Sequence, residues 1–299
     1  MNKPLVSVVV VTYNSSKYIL ETLESIKNQT YNNMELIITD DCSSDDTVQL
    51  CKDWLLVNKD RFEGSQIITS PKNTGISPNI NRGFYAAQGE WIKQIAGDDR
   101  LKNTCLEHYV DFILNNRVDI LFSPLDVFGE GDIEHWKKLI HSNFKYIFSL
   151  SDKDFKILLC KIDLFPAPAA FIRTSFFKKV NGYNESIKFI EDWPFWVKAA
   201  FNGAKFDYID SNEVDYRVNS SSVSQSSSLS PRFKKSLLLT EKHNLSYMKK
   251  ISILYAIEGL FVFKKQYSAN MLWRIFGFLR LLNPYYWKAR KIYNCYLNN

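Results

Sequence analysis

Cysteine, histidine, glycine and proline are all scarce in this sequence of 299 residues, which contains 5, 4, 11 and 9 of them respectively. The cysteines are odd in number and scattered without a C-x-x-C pair, at Cys42, Cys51, Cys105, Cys160 and Cys295. This pattern argues against a disulfide scaffold and predicts free thiols in a reducing compartment. Few glycines and prolines exclude a collagen-like chain, and 45% hydrophobic with 15% aromatic residues excludes general disorder.

Long apolar runs are also missing, since no stretch reaches the roughly 18 uninterrupted apolar residues that span a bilayer. Residues 1–16 hold one lysine and a short apolar run, without a cleavage site of small residues. We interpret them as a first buried strand and not as a signal peptide. The sequence therefore predicts a cytoplasmic protein, or one bound peripherally at the cytoplasmic face of a membrane.

Charge is distributed unevenly along the chain, whose formal net charge is +6. Residues 232–299 carry 13 Lys and Arg but only Glu241 and Glu258, a net charge of +11, which leaves −5 for residues 1–231. A serine-rich, low-complexity run precedes this basic tail, so we predict a catalytic-type domain over 1–225 and a basic, aromatic-rich helical region over 226–299. The tail predicts either an anionic membrane surface as partner or packing on the body or on a second copy.

Strand and helix patterns alternate through the first hundred residues. Strands are predicted at residues 5–11, 35–39, 66–70 and 90–96, with amphipathic helices between them. This alternation indicates βαβ units and a mostly parallel sheet, which binds ligands beyond the carboxyl ends of its strands. The fold class predicted from pattern alone is therefore α/β.

Three of these strands end in polar residues that a parallel sheet would bring together. They are Thr12–Asn14, Asp40–Asp41 and Asp98–Asp99. Adjacent carboxylates repel each other unless a cation lies beside them, and Mg²⁺ or Mn²⁺ prefers oxygen ligands shared with substrate phosphates. The pair alone could equally be a helix cap, but the convergence of three strand ends favours a nucleotide crevice. No G-x-G-x-x-G or G-x-x-x-x-G-K-[ST] motif is present, which argues against dinucleotide or P-loop binding.

Several motifs along residues 5–220 resemble those of family 2 glycosyltransferases. They are VVVVTYN (8–14), QTY (29–31), ELIITDDCSSDDT (35–47), NTGIS (73–77), GEWIKQIAGDD (89–99) and EDW (191–193). The resemblance implies a GT-A fold, which is a Rossmann-like, mostly parallel sheet flanked by helices, here with a C-terminal helical region. It also implies a metal-dependent, inverting enzyme that uses a nucleotide-diphosphate sugar, for which a UDP-sugar is favoured.

The resemblance implies a role for individual positions. Asp192 is the expected general base, Asp98 and Asp99 are expected to hold Mn²⁺ or Mg²⁺, with Asp98 also near the ribose, and Arg217 is expected to contact the diphosphate. The expected lining of the nucleotide pocket is Thr12, Tyr13, Asn14, Asp41, Asn73 and Asn81.

The chain departs from the family pattern at three points. The usual D-x-D-D reads Ala96-Gly97-Asp98-Asp99, so its first carboxylate is absent. Ile80 stands where an arginine is common, and Arg82 is the candidate substitute. Asn219 stands where a histidine is often found, which leaves Arg217 as the expected diphosphate contact.

The function predicted from these features is sugar transfer to an acceptor hydroxyl, on a lipid-linked saccharide or glycolipid in surface polysaccharide synthesis. A nucleotidyltransferase acting on a sugar phosphate is an alternative, but it would need a glycine-rich, basic first loop. A non-enzymatic membrane-binding or nucleic-acid-binding protein is another, although the tail has no nucleic-acid motif and no nucleic acid is expected as partner. A homo-oligomer remains open.

Overall fold

Strands and helices alternate in the first part of the chain. The structure is a computed structural model and describes residues 3–130, 132–140, 143–219, 231–253, 287, 290–294 and 296. The elements are β1 (Val6–Thr12), α1 (Ile19–Lys27), β2 (Met34–Asp40), α2 (Thr47–Asn58), a 3₁₀ turn (Lys59–Arg61), β3 (Ser65–Thr69), α3 (Ile76–Ala86) and β4 (Trp91–Ala96). The four predicted strands are confirmed, each within one or two residues of its predicted bounds.

Shorter elements follow. They are β5 (Arg100–Leu101), α4 (Cys105–Asn115), β6 (Ile120–Phe122), β7 (Leu125–Gly129), α5 (Ile133–Ile140), α6 (Phe144–Ser149), α7 (Asp152–Leu159), a 3₁₀ turn (Ala167–Ala169), β8 (Ala170–Arg173), α8 (Thr174–Lys179), α9 (Asp192–Phe201), β9 (Phe206–Tyr208), β10 (Val214–Val218) and α10 (Pro231–Ile251).

Seven strands form the central sheet in the order β3-β2-β1-β4-β8-β6-β9. β1 runs parallel to both β2 and β4, and β2 runs parallel to β3. β8 is antiparallel to β4 and to β6, while β9 is parallel to β6. The mostly parallel α/β sheet predicted from the alternating pattern is confirmed. Because β8 is reversed, its first residue lies at the same edge as the last residues of the parallel strands.

Both faces of the sheet are buried, as the continuous apolar runs of β1 and β2 predict. Val8 packs in one cluster with Leu23 of α1, whereas Val9 packs on the opposite face with Phe84 of α3. Gly83 of α3 lies where a Cβ would approach Val9 Cγ1 to 2.5 Å, so only glycine permits this close contact. The site is thus built on a rigid layered core.

A second sheet contains three strands in the order β5-β10-β7. β10 pairs antiparallel with β5, the strand that directly follows Asp98 and Asp99 in the sequence. β10 also pairs parallel with β7. Arg100 and Lys102 both form ion pairs with Asp215 of β10, at 3.2 and 2.7 Å. These contacts hold β10 over the end of β4.

The first helix of the predicted C-terminal region packs on the body of the protein. Met248 of α10 is 2% exposed, and the Tyr247 ring lies 5.1 Å from the ring of Phe201 in α9. Ile292 is also buried and accepts a hydrogen bond from Tyr146 through its carbonyl. Membrane contact is predicted for the apolar segments at 251–263 and 271–282, and all of these residues except 251–253 lie outside the described residues. In the part of the chain that the structure describes, no helix combines the length and hydropathy needed to cross a bilayer.

The thiols at four of the five cysteine positions are free, and Cys295 lies outside the described residues. Cys51, Cys105 and Cys160 are buried, whereas Cys42 is exposed. Burial, the main cause, raises the pKa of both Cys51 and Cys105 to about 12, so these thiols stay protonated near neutral pH. The prediction of free thiols is confirmed for these four.

Candidate active site

The three polar strand ends lie together at one edge of the sheet. Thr12 is in register with Asp40, and the Gly97 amide donates to the Val11 carbonyl. The Asp41 amide donates to the Thr12 carbonyl at 3.1 Å. The predicted convergence of β1, β2 and β4 on one crevice is therefore confirmed.

Thr12 and Asp40 hold the crevice floor together. The Thr12 hydroxyl donates to Asp40 Oδ2 at 2.9 Å, and the Ser43 amide donates to Asp40 Oδ1 at 2.8 Å. Both Thr12 and Asp40 are only 1% exposed. Their polar atoms thus fix the turns after β1 and β2, and direct contact of Thr12 with a nucleotide stays a prediction.

Tyr13 and Asn14 form the turn after β1 and face different partners. Asn14 has a φ of 51°, in the left-handed region that asparagine tolerates better than most residues. Its side-chain oxygen accepts from the Ser44 amide at 2.9 Å, which ties the turn to the loop after β2. Tyr13 is 52% exposed, so its ring is accessible to a planar base.

Asp41 is the most heavily hydrogen-bonded carboxylate of the crevice. It accepts from the amides of Thr74 and Gly75 at 2.9 and 2.7 Å, and from the Thr74 hydroxyl. Arg82 completes the set with a 3.0 Å ion pair to Asp41 Oδ1. Burial alone would raise the pKa of Asp41, but the bonds from Thr74, Arg82 and Gly75 lower it below its usual value. Arg82 thereby places a guanidinium beside Asp41, and its role as substitute for an arginine at position 80 stays a prediction.

We expect Arg82→Gln to lower the free energy of unfolding by about 1–3 kcal/mol. Removing one partner of a buried ion pair costs about 3–5 kcal/mol, and the 25% exposure of the Arg82 side chain reduces this. Urea unfolding of Arg82→Gln, Asp41→Asn and the double variant measures the coupling. Arg100→Gln is the control, because its 38% exposed side chain makes ion pairs worth less than about 1 kcal/mol. Additive effects at Arg82 and Asp41 would contradict the pairing.

Asn73, the first residue of the NTGIS motif, and Asn81, four residues after the end of that motif, occupy different environments. Asn73 is exposed at the start of the loop before α3. Asn81 is 4% exposed, and its amide donates to the Tyr183 carbonyl and to Glu185 while its oxygen accepts from the Tyr183 amide. Asn81 thus fastens the loop that precedes α9, and contact of either asparagine with a nucleotide stays a prediction.

Asp98 and Asp99 lie at the turn after β4, which Gly97 brings close to β1. A Cβ at Gly97 would lie 2.9 Å from the Thr12 side chain, so this approach requires glycine. Asp99 is 1% exposed, and its Oδ1 accepts from the Arg217 amide at 2.8 Å. Its Oδ2 is buried and has no hydrogen-bond partner within the described residues. Burial and then the charge of Asp98 raise the pKa of Asp99 well above its usual range.

This pair of carboxylates has the donor chemistry for a divalent cation. An unpartnered buried carboxylate oxygen beside a second acid is costly unless a positive charge compensates it. No cluster of three or more His, Cys, Asp or Glu within the described ranges could hold a metal by protein ligands alone. The residues therefore fit an ion such as Mg²⁺ or Mn²⁺ that takes one or two carboxylates and completes its shell with substrate phosphate and water.

Arg217 and Asn219 of the β10 segment both reach the acidic pair. Arg217 Nε donates to the Asp98 carbonyl at 2.7 Å, and its guanidinium stacks on the Phe128 ring at 4.3 Å. Asn219 Nδ2 lies 3.3 Å from Asp98 Oδ2. The asparagine that replaces the family's histidine thus still faces the predicted cation site.

Glu191 and Asp192 form the second acidic pair, at the start of α9. Asp192 Oδ1 accepts from the Trp193 amide at 2.8 Å. Burial raises the pKa of Asp192 to about 6, against hydrogen bonds from Trp193 and the Ala167 amide that lower it. Burial, and then the charge of Asp192, raises the pKa of Glu191 to about 8. Near pH 7 the pair therefore contains one ionised and one protonated carboxyl group, and Asp192 is the one poised to accept a proton.

Tyr216 lies close enough to both acidic pairs to be affected by their charges. Burial raises its pKa, and the charges of Asp99, Asp98, Asp192 and Glu191 all add to the effect. All four carboxylates therefore lie within electrostatic range of one phenol, and the two pairs share one crevice.

Two further residues of the crevice were not predicted from the sequence. Lys93 of β4 is fully buried and donates to the Pro168 and Ala170 carbonyls, while its ammonium lies 4.9 Å from the centre of the Tyr109 ring. Desolvation, and then the charges of Asp192 and Glu191, raises the pKa of Asp163 well above its usual range. Lys93 belongs to the GEWIKQIAGDD motif (89–99) but was assigned no role there, and Asp163 belongs to none of the motifs, so the contacts of both depend on the fold.

Comparison with known proteins shows the family to which this chain belongs. A sequence profile described as "Glycosyl transferase family 2" matches residues 7–180. The uncharacterized glycosyltransferase MJ1057 of Methanocaldococcus jannaschii is 30% identical over 222 residues, covering 73% of this chain and 72% of that protein. TarS of Staphylococcus aureus, a poly(ribitol-phosphate) beta-N-acetylglucosaminyltransferase, is 28% identical over 214 residues, covering 70% of this chain but 35% of its own length.

Solved structures show the same fold. The structure of TarS 1–349 in complex with UDP-GlcNAc superposes with a TM-score of 0.64 at 21% identity, over 89% of this chain and 76% of that one. Mannosyltransferase PcManGT of Pyrobaculum calidifontis, in complex with GDP-Man and Mn²⁺, gives a TM-score of 0.58 at 15% identity, over 99% of this chain and 86% of that one. At these identities the likeness supports the GT-A fold alone. Together with the profile match over more than half of the sequence, it shows that the chain is a glycosyltransferase of family 2.

Proposed function

We propose that this glycosyltransferase moves a sugar from a UDP-sugar to a hydroxyl group of a saccharide or glycolipid acceptor in surface polysaccharide synthesis. The proposal of UDP is supported by the relative TarS, whose structure was solved with UDP-GlcNAc. The name of TarS gives poly(ribitol-phosphate) as its acceptor, which supports a polymeric acceptor. Family membership favours sugar transfer over nucleotidyl transfer to a sugar phosphate.

The observation that carries the proposal is the meeting of two unlike acidic pairs in one crevice. Asp98 and Asp99 offer carboxylate oxygens suited to a cation and a diphosphate, whereas Asp192 offers a base. Tyr216 lies within the field of all four carboxylates. Such a pairing serves a reaction in which a hydroxyl is deprotonated while an anionic group leaves.

The mechanism follows from what the residues can do. Asp192 accepts the proton of the acceptor hydroxyl, whose oxygen attacks the anomeric carbon while the bond to the UDP oxygen breaks. One base on the face opposite the leaving group implies a single displacement with inversion. Arg217 lies beside the Asp98–Asp99 turn, where it can contact the departing diphosphate. A divalent cation held by Asp98 and Asp99 would supply further positive charge there.

The pH dependence should report the raised pKa of Asp192. A base works only when deprotonated, so kcat/KM should fall as pH decreases through about 6, with a slope of one. An aspartate with its ordinary pKa near 4 would keep full activity to about pH 5. Initial rates between pH 5 and 8 at saturating Mn²⁺ measure the profile. Constant kcat/KM down to pH 5 would rule out a base with this pKa.

A nucleotide-sugar screen tests the proposed donor. The enzyme is incubated with UDP-GlcNAc, UDP-glucose or GDP-mannose, each with Mn²⁺, Mg²⁺ or EDTA, and released nucleotide is measured. We expect the enzyme to release nucleotide from at least one UDP-sugar, and we expect EDTA to abolish this release. Absence of both binding and release for every UDP-sugar would overturn the donor assignment, and release that EDTA leaves unchanged would overturn the metal requirement.

We also propose that the basic tail attaches the enzyme to anionic lipid at the cytoplasmic face of the membrane. The net charge of +11 on residues 232–299 supports it, since each cation near an anionic surface contributes about 1 kcal/mol. Because α10 packs on α9, shortening the chain would expose the core. Glutamine substitutions in the full chain avoid this, at Lys264, Lys265, Arg274 and Arg280.

Sedimentation with vesicles measures the attachment. We expect the unsubstituted chain to bind vesicles that contain anionic lipid, with an affinity that added salt lowers, and the quadruple variant to bind at least about tenfold more weakly. A control variant removes four exposed lysines of the body, Lys52, Lys59, Lys72 and Lys153. Equal binding of the two variants would mean that the tail has no special role.

A further inference from the structure

A cavity of about 540 Å³ opens beside the crevice at the same edge of the sheet. Its walls come from the loops after β6 and β9, from β7, from the start of α6 and from Pro166. The residues that carry its chemistry are Asp126, Asn143, Phe144, Lys145, Tyr208 and Asp210. We call it the side cavity. None of the residues assigned to the donor by the family resemblance lines it.

The position of the side cavity relates it directly to the proposed base. Pro166, in its wall, immediately precedes Ala167, whose backbone lies close enough to Asp192 to lower the pKa of that carboxyl group. Because β8 is antiparallel, this turn lies at the edge where β6 and β9 end. The donor crevice lies at the ends of β1, β2 and β4. The side cavity therefore lies on the opposite side of Asp192. That is where the body of an acceptor must extend while its hydroxyl reaches Asp192.

The lining of the side cavity suits a hydroxyl-rich ring more than an ion. The Phe144 and Tyr208 rings stack on each other at 5.4 Å, and Tyr208 is only partly buried, which presents an aromatic edge. Asp126 is already compensated, because Lys102 lies 3.0 Å from it and Asn212 donates to it at 2.6 Å. Aromatic surface with a few convergent polar groups is typical of small-molecule pockets.

The remaining charges of the side cavity balance. Lys137 pairs with Glu134 at 2.8 Å. Lys145 and Asp210 are exposed side chains with neither an ion pair nor a side-chain hydrogen bond in the described ranges, and they supply one donor group and one acceptor group. A lining without net charge gives no electrostatic preference for an anion. A neutral sugar, whose hydroxyls both donate and accept, matches this set.

We propose that the side cavity is the acceptor subsite and that it binds an uncharged saccharide unit through Tyr208, Lys145 and Asp210. This inference rests on the proposed function, because it assigns the acceptor of the same reaction. It adds the location and the chemical class of the acceptor.

Ligand-observed NMR tests the assignment directly. Saturation transfer is measured from the full-length protein to the methyl β-glycosides of glucose, galactose and N-acetylglucosamine. UDP and diamagnetic Mg²⁺ are present at saturation so that the donor crevice is filled without paramagnetic broadening of the ligand signals. We expect at least one neutral glycoside to bind, and Lys145→Ala and Asp210→Ala each to weaken it about 5- to 10-fold, the usual effect of losing one hydrogen bond.

The controls separate this inference from the proposed function. Lys52→Ala, a substitution on the distant helix α2, should leave glycoside binding unchanged, and UDP affinity by calorimetry should be the same in all three variants. Absence of glycoside binding, or binding that survives both cavity substitutions, would overturn the side-cavity assignment while UDP binding stands. A tenfold preference for N-acetylglucosamine 6-phosphate over N-acetylglucosamine would overturn the uncharged class. Failure of UDP to bind the unsubstituted enzyme would instead overturn the proposed donor.

Discussion

Asp192→Asn is expected to lower turnover by about 10²–10⁴-fold, the usual contribution of a positioned general base. The amide cannot take the proton of the acceptor hydroxyl, yet its oxygen can still accept from the Trp193 amide, so α9 should keep its start. UDP affinity should change by less than about twofold, because the resemblance assigns Asp192 to the acceptor hydroxyl and not to the diphosphate. Steady-state rates and calorimetry measure the two quantities.

Glu191→Gln is the matched control for this prediction. Its carboxyl has a pKa raised to about 8 and is largely protonated at pH 7, so glutamine imitates its usual state. We expect a loss of less than about tenfold in turnover. Equal losses in the two variants, or a parallel loss of UDP affinity in Asp192→Asn, would contradict the assignment of the base.

Asp99→Asn is expected to remove most of the enhancement that Mn²⁺ gives to UDP binding. Asparagine keeps an oxygen for the Arg217 amide but lacks the anionic charge that the buried, unpartnered Oδ2 offers a cation. Loss of a charged ligand should weaken metal-dependent binding at least as much as loss of an outer-shell partner, about 10- to 100-fold. Calorimetric titration of UDP with and without Mn²⁺ measures the difference.

Asp98→Asn distinguishes the two members of this pair. Asp98 is less buried than Asp99 and its Oδ2 already contacts Asn219, so the smaller effect is expected there. Unchanged Mn²⁺ dependence in Asp99→Asn with a loss in Asp98→Asn would move the main ligand role to Asp98. Unchanged dependence in both variants would remove the cation from this site.

The donor half of the site could be predicted from the sequence because its signals are local. β1 and β2 contain continuous apolar runs, polar residues follow β1, β2 and β4, and parallel pairing brings the ends of these strands together without further information. The structure confirms this convergence. The structural roles of Thr12 and Asn81 could not be predicted in this way. A motif does not show that Thr12 hydrogen-bonds to Asp40 or that Asn81 hydrogen-bonds to the backbone of Tyr183.

The other half of the site depends on contacts between distant parts of the chain. β8 has only four residues and follows a proline-rich turn, so no periodicity marks it or its reversed direction. Lys93 lies within an apolar strand, where a lysine usually indicates a solvent-facing position. Its burial depends on carbonyls at Pro168 and Ala170 and on the Tyr109 ring, none of which is near in sequence.

The insertion of β8 between β4 and β6 has a consequence for synthesis on the ribosome. β4 and β6 end at Ala96 and Phe122, but the strand that joins them is complete only at Arg173. At about 5–20 residues per second, the roughly fifty residues after Phe122 take about 3–10 s to be added. During that interval the nascent chain holds two strand edges without their native partner, and unpaired edges are sites of aggregation. β8, which follows the turn that brings Ala167 close to Asp192, must therefore be synthesised before β4 and β6 can join in one sheet.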